Sequence, residues 1–180
     1  MELLSVPRVF ISGVSSGVGK SLICLGLTME LRKRGHSVSY AVSGLNLNQS
    51  IIQKRICGRN VISFDDKLLS GGQILTSTYM ASVGSDILII EGNAGLYDGI
   101  FDGGLFRGSD SEVASWTKTP VCLVVDARHM GASLGALARG FADVASGFTV
   151  SSLIANRVSP KQEERDLLRT VFADALMGLS

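Results

Sequence analysis

Gly13-Val14-Ser15-Ser16-Gly17-Val18-Gly19-Lys20-Ser21 directly follows an apolar run, Val9-Phe10-Ile11, and opens a helix-length stretch, Lys20 to Arg34. A glycine-rich turn that leaves a strand and enters a helix is the setting of a phosphate-binding loop. The chemistry asks for these residue types. Glycines let successive backbone N–H groups turn toward one point, and the helix N-terminus adds its partial positive charge. Lys20 would reach terminal phosphates and Ser21 would offer a hydroxyl to Mg²⁺, with Ser15, Ser16, Gly17, Val18 and Gly19 forming the cradle. The common pattern has glycine six residues before the lysine. Here Val14 holds that place and Gly13 precedes it, so the loop is a variant. The competing reading, a glycine-rich turn with a chance lysine, leaves the flanking strand and helix unexplained.

Further short apolar runs lie at Val38 to Val42, Ile87 to Ile90, Val121 to Val125 and Leu153 to Ala155. Nearly continuous runs of this kind suit strands buried on both faces of a parallel sheet. Helix-length stretches alternate with them. Lys20 to Arg34 carries Leu22, Ile23, Leu27 and Leu31 and ends in Arg32-Lys33-Arg34-Gly35, a basic, glycine-terminated end suited to a helix C-terminus. Leu134 to Val144 and Gln162 to Ala175 also read as helices, the second opened by Ser159-Pro160. The alternation predicts an α/β fold of the P-loop NTPase kind, a mainly parallel sheet with helices on both faces. A length of 180 residues predicts one domain over 1–180, with Gly92 to Gly108 as a long functional loop.

Composition narrows the function classes. Hydrophobic residues make up 46% and charged residues 18%, enough apolar material for a core and too few charges for a disordered chain. Lys and Arg total 17 against 16 Asp and Glu, so no general field favours nucleic acid or an anionic membrane. Glycine is 21 of 180 residues against an average of about 7%, while proline is only 3, which points to close backbone approach rather than a flexible linker. The three cysteines, Cys24, Cys57 and Cys122, are scattered among apolar neighbours, and His36 and His129 are the only histidines. That argues against a disulfide framework, a zinc site or an activated thiol, and predicts a cytoplasmic protein. No apolar run reaches the roughly 18 residues that span a bilayer.

A second chemical signal is Asp86-Ile87-Leu88-Ile89-Ile90-Glu91-Gly92, an apolar strand running into a carboxylate. Strand C-termini line the ligand crevice of open α/β sheets, so Glu91 is expected to face Lys20 and to hold Mg²⁺ directly or through water. A merely solvated strand-end carboxylate is the bland alternative. Asp98 and Asp102 could contact substrate or metal, but they also suit glycine-rich turns. Asp110, Ser111 and Glu112 read as a helix start, where acidic residues favour the positive end. Trp116 reads either as core or as a partner contact.

Glu91-Gly92-Asn93-Ala94-Gly95-Leu96-Tyr97-Asp98-Gly99 resembles the signature of cobyrinic acid a,c-diamide synthases, whose ATP-binding domain is similar to dethiobiotin synthetase. The likeness extends through Leu123-Val124-Val125-Asp126-Ala127, Leu153-Ile154-Ala155-Asn156-Arg157-Val158 and the loop Ser15 to Lys20. Ser15 stands where partition and septum-positioning ATPases carry a second lysine, which argues against those proteins. The resemblance implies ATP and Mg²⁺, amidation of a side-chain carboxylate on a corrin precursor, and ammonia supplied by a glutaminase domain. That domain is expected to be absent here, so a separate glutaminase subunit and a homodimer are implied partners. Asn156, with Arg157, is implied to read the adenine base, and Tyr97 and Asp98 to face substrate.

One stretch departs from the family pattern, which has a phenylalanine-lysine pair leading into Gly-Pro-Asp-Tyr, then a second aspartate and a histidine. Aligned on Gly44 and Gly58-Arg59, this chain has Val42 for the lysine, Leu45 for the proline and Asn46 for the first aspartate. Leu47 stands for the tyrosine, Gln49 for the second aspartate and Gln53 for the histidine. Asn46 still offers a carbonyl oxygen to Mg²⁺ but no charge, and Val42 cannot stabilise a transferring phosphoryl group. Two alternatives therefore stand beside the amidoligase: a diverged nucleotide-binding module that regulates a partner, and a dethiobiotin-synthetase-like ligase.

Overall fold

The apolar runs pair into one six-stranded parallel sheet, of strand order β3-β2-β4-β1-β5-β6. The computed structural model describes residues 6–44, 47–100 and 106–176, so Asn46 and Asp102 lie outside the described residues. The strands are β1 (Arg8–Gly13), β2 (Val38–Ser43), β3 (Ile62–Phe64), β4 (Ile87–Gly95), β5 (Val121–Asp126) and β6 (Val150–Asn156). Between them run α1 (Lys20–Lys33), α2 (Leu47–Cys57), α3 (Gly71–Ser82), α4 (Asp110–Thr117) and α5 (Ser133–Asp143), with α6 (Gln162–Leu176) closing the series. Ala175 and Leu176 thus end a helix.

Alternate residues of each strand feed two cores, as the period of a pleated strand requires. Phe10, Ala41, Leu88, Ile90, Leu123 and Val125 pack on one face, under Ile74 of α3, Val113 of α4, Leu134 of α5 and Leu168 of α6. Ile11, Tyr40, Val42, Ile89 and Val124 pack on the other, under Cys24 of α1 and Cys57 of α2. Each fully buried Val, Leu, Ile or Phe side chain among them contributes about 1.5–3 kcal/mol.

Three elements differ from the sequence expectation. The edge strand β3 has three residues, too short to give a periodic signal, and α3 is announced instead by its capping box, Ser70 with Gln73. In α1 the buried line is Lys20, Cys24 and Thr28, while Leu22 is 76% exposed, so the expected apolar stripe is turned by about a residue.

Sheet order places the site. β1 is central, with β4, β2 and β3 on one side and β5 and β6 on the other, so the loop after β1 sits where the chain changes direction across the sheet. Ile11 pairs with Glu91 but Gly13 pairs with Gly95, so Gly92, Asn93 and Ala94 bulge out of β4 beside the loop.

Candidate functional site

The loop from Gly13 to Ser21 turns on its glycines. Gly17 and Gly19 have φ of 76° and 103°, a region that side-chain-bearing residues avoid, and Gly19 is the N-cap of α1. Gly13 has no room for a side chain either, since a Cβ there would meet Val18 at 2.5 Å. Asn156, at the end of β6, braces the loop from the other side: its Nδ2 donates to the Val18 carbonyl at 2.8 Å and its Oδ1 accepts from the Arg157 N–H at 2.9 Å. Arg157 adopts a left-handed φ of 58° and donates to the Gly17 carbonyl at 2.9 Å and to Asp126 at 2.6 Å. Arg128, and then Arg157, hold the Asp126 carboxyl well below the usual carboxylate range.

Lys20 is buried at the first turn of α1, and its Nζ donates to Ser15 O at 3.2 Å and Ala94 O at 2.5 Å. Burial pulls the pKa of its ammonium down, and the charges of Asp110 and then Glu91 oppose that pull. Glu91 is 3% exposed. Its carboxylate accepts from Ser21 Oγ on one oxygen and from the Tyr40 hydroxyl on the other, where Gln53 Nε2 also donates at 3.1 Å. Tyr40 and Gln53 are themselves fully enclosed, and burial raises the Tyr40 phenol well above its ordinary value. Val42, opposite Glu91 in the β2–β4 register, completes the wall.

Gly17, Gly19, Lys20, Ser21, Glu91 and Arg157 line a cavity of about 430 Å³. Arg157 also borders a second cavity of about 610 Å³ between the ends of β5 and β6 and the start of α6, walled by His129, Met130 and Leu167. A third, of about 160 Å³, shares Ser43 and Asn93 with the first and gathers Asp65, Asp66, Asp98 and Asp110.

The sequence-derived residues therefore divide. Ser16, Gly17, Gly19, Lys20, Ser21, Glu91 and Arg157 converge on one cavity. Val18 is buried beneath it, Asn156 braces the loop, and the Ser15 hydroxyl donates to Ser16 O at 3.3 Å. Asp98 lines the acidic cavity, while Tyr97 turns away, donating to Phe141 O at 2.5 Å with its ring 5.1 Å from Phe106. Trp116 packs over the start of α3, where a Cβ on Gly71 would meet its ring at 3.0 Å. Sequence reasoning missed Tyr40 and Ala94, weighed Gln53 only as a substitution, and read Asp110 as a helix start. It does start α4, but it is also 3% exposed, and its charge acts on Lys20.

The donor set fits Mg²⁺ with a polyphosphate. The Gly17 to Gly19 turn leaves open a cradle, and the paired Ser21 hydroxyl and Glu91 carboxylate are hard oxygen donors. No group of three His, Cys, Asp or Glu side chains among the described residues could hold a metal by itself, so phosphate and water oxygens would fill the remaining positions, as Mg²⁺ prefers.

Fold and loop together define a domain of P-loop NTPase type. Solved structures agree at the level of fold: a DUF1611 family protein from Anabaena variabilis (TM-score 0.64, 18% identity, 96% of this chain and 52% of that one) and the signal recognition particle 54 kDa protein from Aeropyrum pernix in complex with GDP (TM-score 0.62, 20% identity, 99% and 41%). A nucleotide-binding protein from Archaeoglobus fulgidus in complex with ADP superposes with a TM-score of 0.55 at 17% identity, over 91% of this chain and 76% of that one. No family model matches the sequence. Curated relatives are more specific: cobyrinate a,c-diamide synthases of Syntrophotalea carbinolica (36% identical, 86% of this chain, 33% of the relative) and Magnetococcus marinus (36%, 89%, 34%). A hydrogenobyrinate a,c-diamide synthase of Brucella suis is 32% identical over 85% of this chain and 35% of its own length. Over most of its length the chain is a diverged relative of one part of the cobyrinate a,c-diamide synthases, and it spans about a third of the length of the curated relatives it matches.

Proposed function

We propose that the chain binds Mg-ATP and is the ATP-binding part of an amidoligase acting on a corrin precursor. The observation that carries the nucleotide reading is the convergence of Lys20, Ser21 and Glu91 on one glycine-walled cavity. Ser21 and Glu91 would hold Mg²⁺, whose charge would offset that building on the phosphates. Lys20 and the N–H groups of residues 16–21 would bind the β- and γ-phosphates, and Arg157 would mark the passage to the cavity beside His129, which would take the nucleoside. The substrate class rests on the relatives' names. In the proposed reaction a side-chain carboxylate takes the γ-phosphoryl group and ADP leaves; ammonia then attacks the acyl carbon, phosphate leaves, and an amide remains. A carboxylate is a poor electrophile, so positioning and charge neutralisation are what the site has to supply.

Val42 favours a second reading. It puts an apolar wall opposite Glu91, where the family pattern has lysine, and a lost cationic contact to a transferring phosphoryl group commonly slows transfer by orders of magnitude. The second reading is a nucleotide-binding module with slow chemistry. Isothermal titration with Mg-ATP tests the part common to both: binding is expected, and Lys20→Ala should weaken it at least about tenfold, a loss of about 1.4 kcal/mol. No binding by the parent would sink both readings. ADP release with cobyrinic acid and ammonia separates them, since the amidoligase sustains ADP release over many turnovers only when both are present and the module shows none above the nucleotide-only rate.

A further inference from the structure

Asp110 opens α4, yet at 3% exposure it is as buried as Glu91 and, among the described residues, is the most completely buried carboxylate that the proposed mechanism leaves unused. It belongs to the helix, but its bonds go elsewhere. Oδ2 accepts from Ser12 Oγ, near the end of β1, at 2.7 Å, and Oδ1 accepts from the Asn93 N–H, in the bulge of β4, at 3.0 Å. That N–H belongs to the segment where the β1–β4 register shifts. A displaced amide beside a buried strand needs a partner, and Asp110 supplies it. The next residue, Ala94, turns its carbonyl onto Lys20 Nζ at 2.5 Å. Space is adjusted to the tie: a Cβ on Gly92 would lie 2.1 Å from Asp110 Oδ2 and 3.1 Å from Ser12 Oγ.

From this chain of contacts we infer that Asp110 is a positioning residue for the phosphate loop, clamping the β4 bulge to the end of β1 so that the Ala94 carbonyl fixes Lys20. The carboxylate acts through Asn93 and Ala94 rather than on phosphate. A helix start needs no such geometry, because an N-terminal acid serves the helix end equally well in solvent. Charged hydrogen bonds from one carboxylate to two strands are individually among the stronger ones in a protein and restrict the backbone between them. The inference deepens the nucleotide reading and rests on it for its effect on binding, but the clamp itself can be measured without nucleotide.

The test compares the full chain with Asp110→Asn, Asp110→Ala and Ser12→Ala in two measurements: Mg-ATP affinity by titration, and amide hydrogen exchange of the segments 12–20 and 91–96 in nucleotide-free protein. Asp110→Asn keeps an acceptor for Asn93 and a donor for Ser12, so it should hold affinity within about threefold and leave exchange near the parent's. Asp110→Ala should weaken affinity about tenfold and speed exchange in 91–96, with Ser12→Ala intermediate. Parent-like exchange in 91–96 for a folded Asp110→Ala overturns the clamp, as does an Asp110→Asn variant as impaired as Asp110→Ala. If Asp110→Ala does not fold, Ser12→Ala and Asp110→Asn decide on the same criteria. If the parent binds no Mg-ATP, the nucleotide reading fails and the exchange measurement alone decides the clamp.

Discussion

Glu91 is held by three donors on three different elements, Ser21 on α1, Tyr40 on β2 and Gln53 on α2, so its orientation depends on residues far from it in the chain. Tyr40→Phe removes one donor and keeps the ring volume. Hydrogen bonds to charged groups are worth about 1.5–3 kcal/mol, so urea unfolding should report a loss of that order. The Mg²⁺ concentration that supports ATP binding should also rise several-fold, and an unchanged Mg²⁺ requirement would show that the phenol does not orient the carboxylate. Asp110 makes a pH prediction. Burial raises its carboxyl from an ordinary 3.8 to about 6, against the lowering pull of Ser12, Asn93, Ser43 and Lys20. Glu91, Asp98, Asp65, Asp66 and Lys67 are the other charged groups around it or its cavity. Between those two values the folded chain binds more protons than the unfolded one, so this contribution to stability is full below about pH 4 and falls as pH rises to about 6. The loss by pH 7 is about 3 kcal/mol. Asp110→Asn should flatten that limb, leaving a variant at least as stable as the parent at pH 7 in urea melts; a parent whose stability does not fall over this range would contradict it. Neither Tyr40 nor Asp110 was legible as functional in the sequence. Tyr40 sits in an apolar strand and reads as core, and Asp110 sits where helices ordinarily put an acid; only the long-range pairing of β2 with β4, and of α4 with the β4 bulge, gives them their partners.

At the scale of elements, what was legible followed from local periodicity. β1, β2, β4, β5 and β6 were visible as apolar runs, and α1, α5 and α6 as stretches of helical length. β3 is too short for a pattern, α2 lies in the stretch whose family motif is most altered, and the signal for α3 is only its capping box. The bulge of β4 was invisible for a different reason: a register shift is a relation between two strands, and no single strand records it. Its glycine was part of the quoted signature, yet the reason for it emerges only from the packing. Gly92→Ala would place a methyl 2.1 Å from the Asp110 carboxylate. Either the carboxylate or the strand must give way, and overpacking of this kind costs about 1–3 kcal/mol. The expected outcome is a destabilised chain whose 91–96 segment exchanges fast, matching Asp110→Ala. A Gly92→Ala variant with parent-like stability and exchange would mean that the bulge is not set by this contact.

For the molecule as a whole, the described residues form one sheet whose two faces are covered by helices, and the site occupies the C-terminal edge of that sheet. No helix among the described residues is long and apolar enough to cross a membrane. The 180 residues correspond to about a third of each curated relative, and whether they could themselves release ammonia for the proposed amidation can be judged from their own side chains. Releasing ammonia from glutamine through a thiol requires an accessible cysteine with a lowered pKa and a base beside it. Cys24, Cys57 and Cys122 are all buried. Burial raises the Cys24 and Cys122 thiols, and Glu91 pushes Cys24 further in the same direction. Cys57 donates to the carbonyl of Arg59 at 3.1 Å and that of Lys54 at 3.9 Å, both main-chain acceptors. None of the three has the surroundings of a nucleophile. The prediction is that, with Mg-ATP and cobyrinic acid, this chain sustains ADP release over many turnovers when ammonium salt is supplied and not when glutamine replaces it. Glutamate formation, followed alongside ADP, should stay at the background of a no-protein control. Glutamine-dependent ADP release by the purified chain, abolished by substituting any one of the three cysteines, would overturn this assignment and make that cysteine the nucleophile.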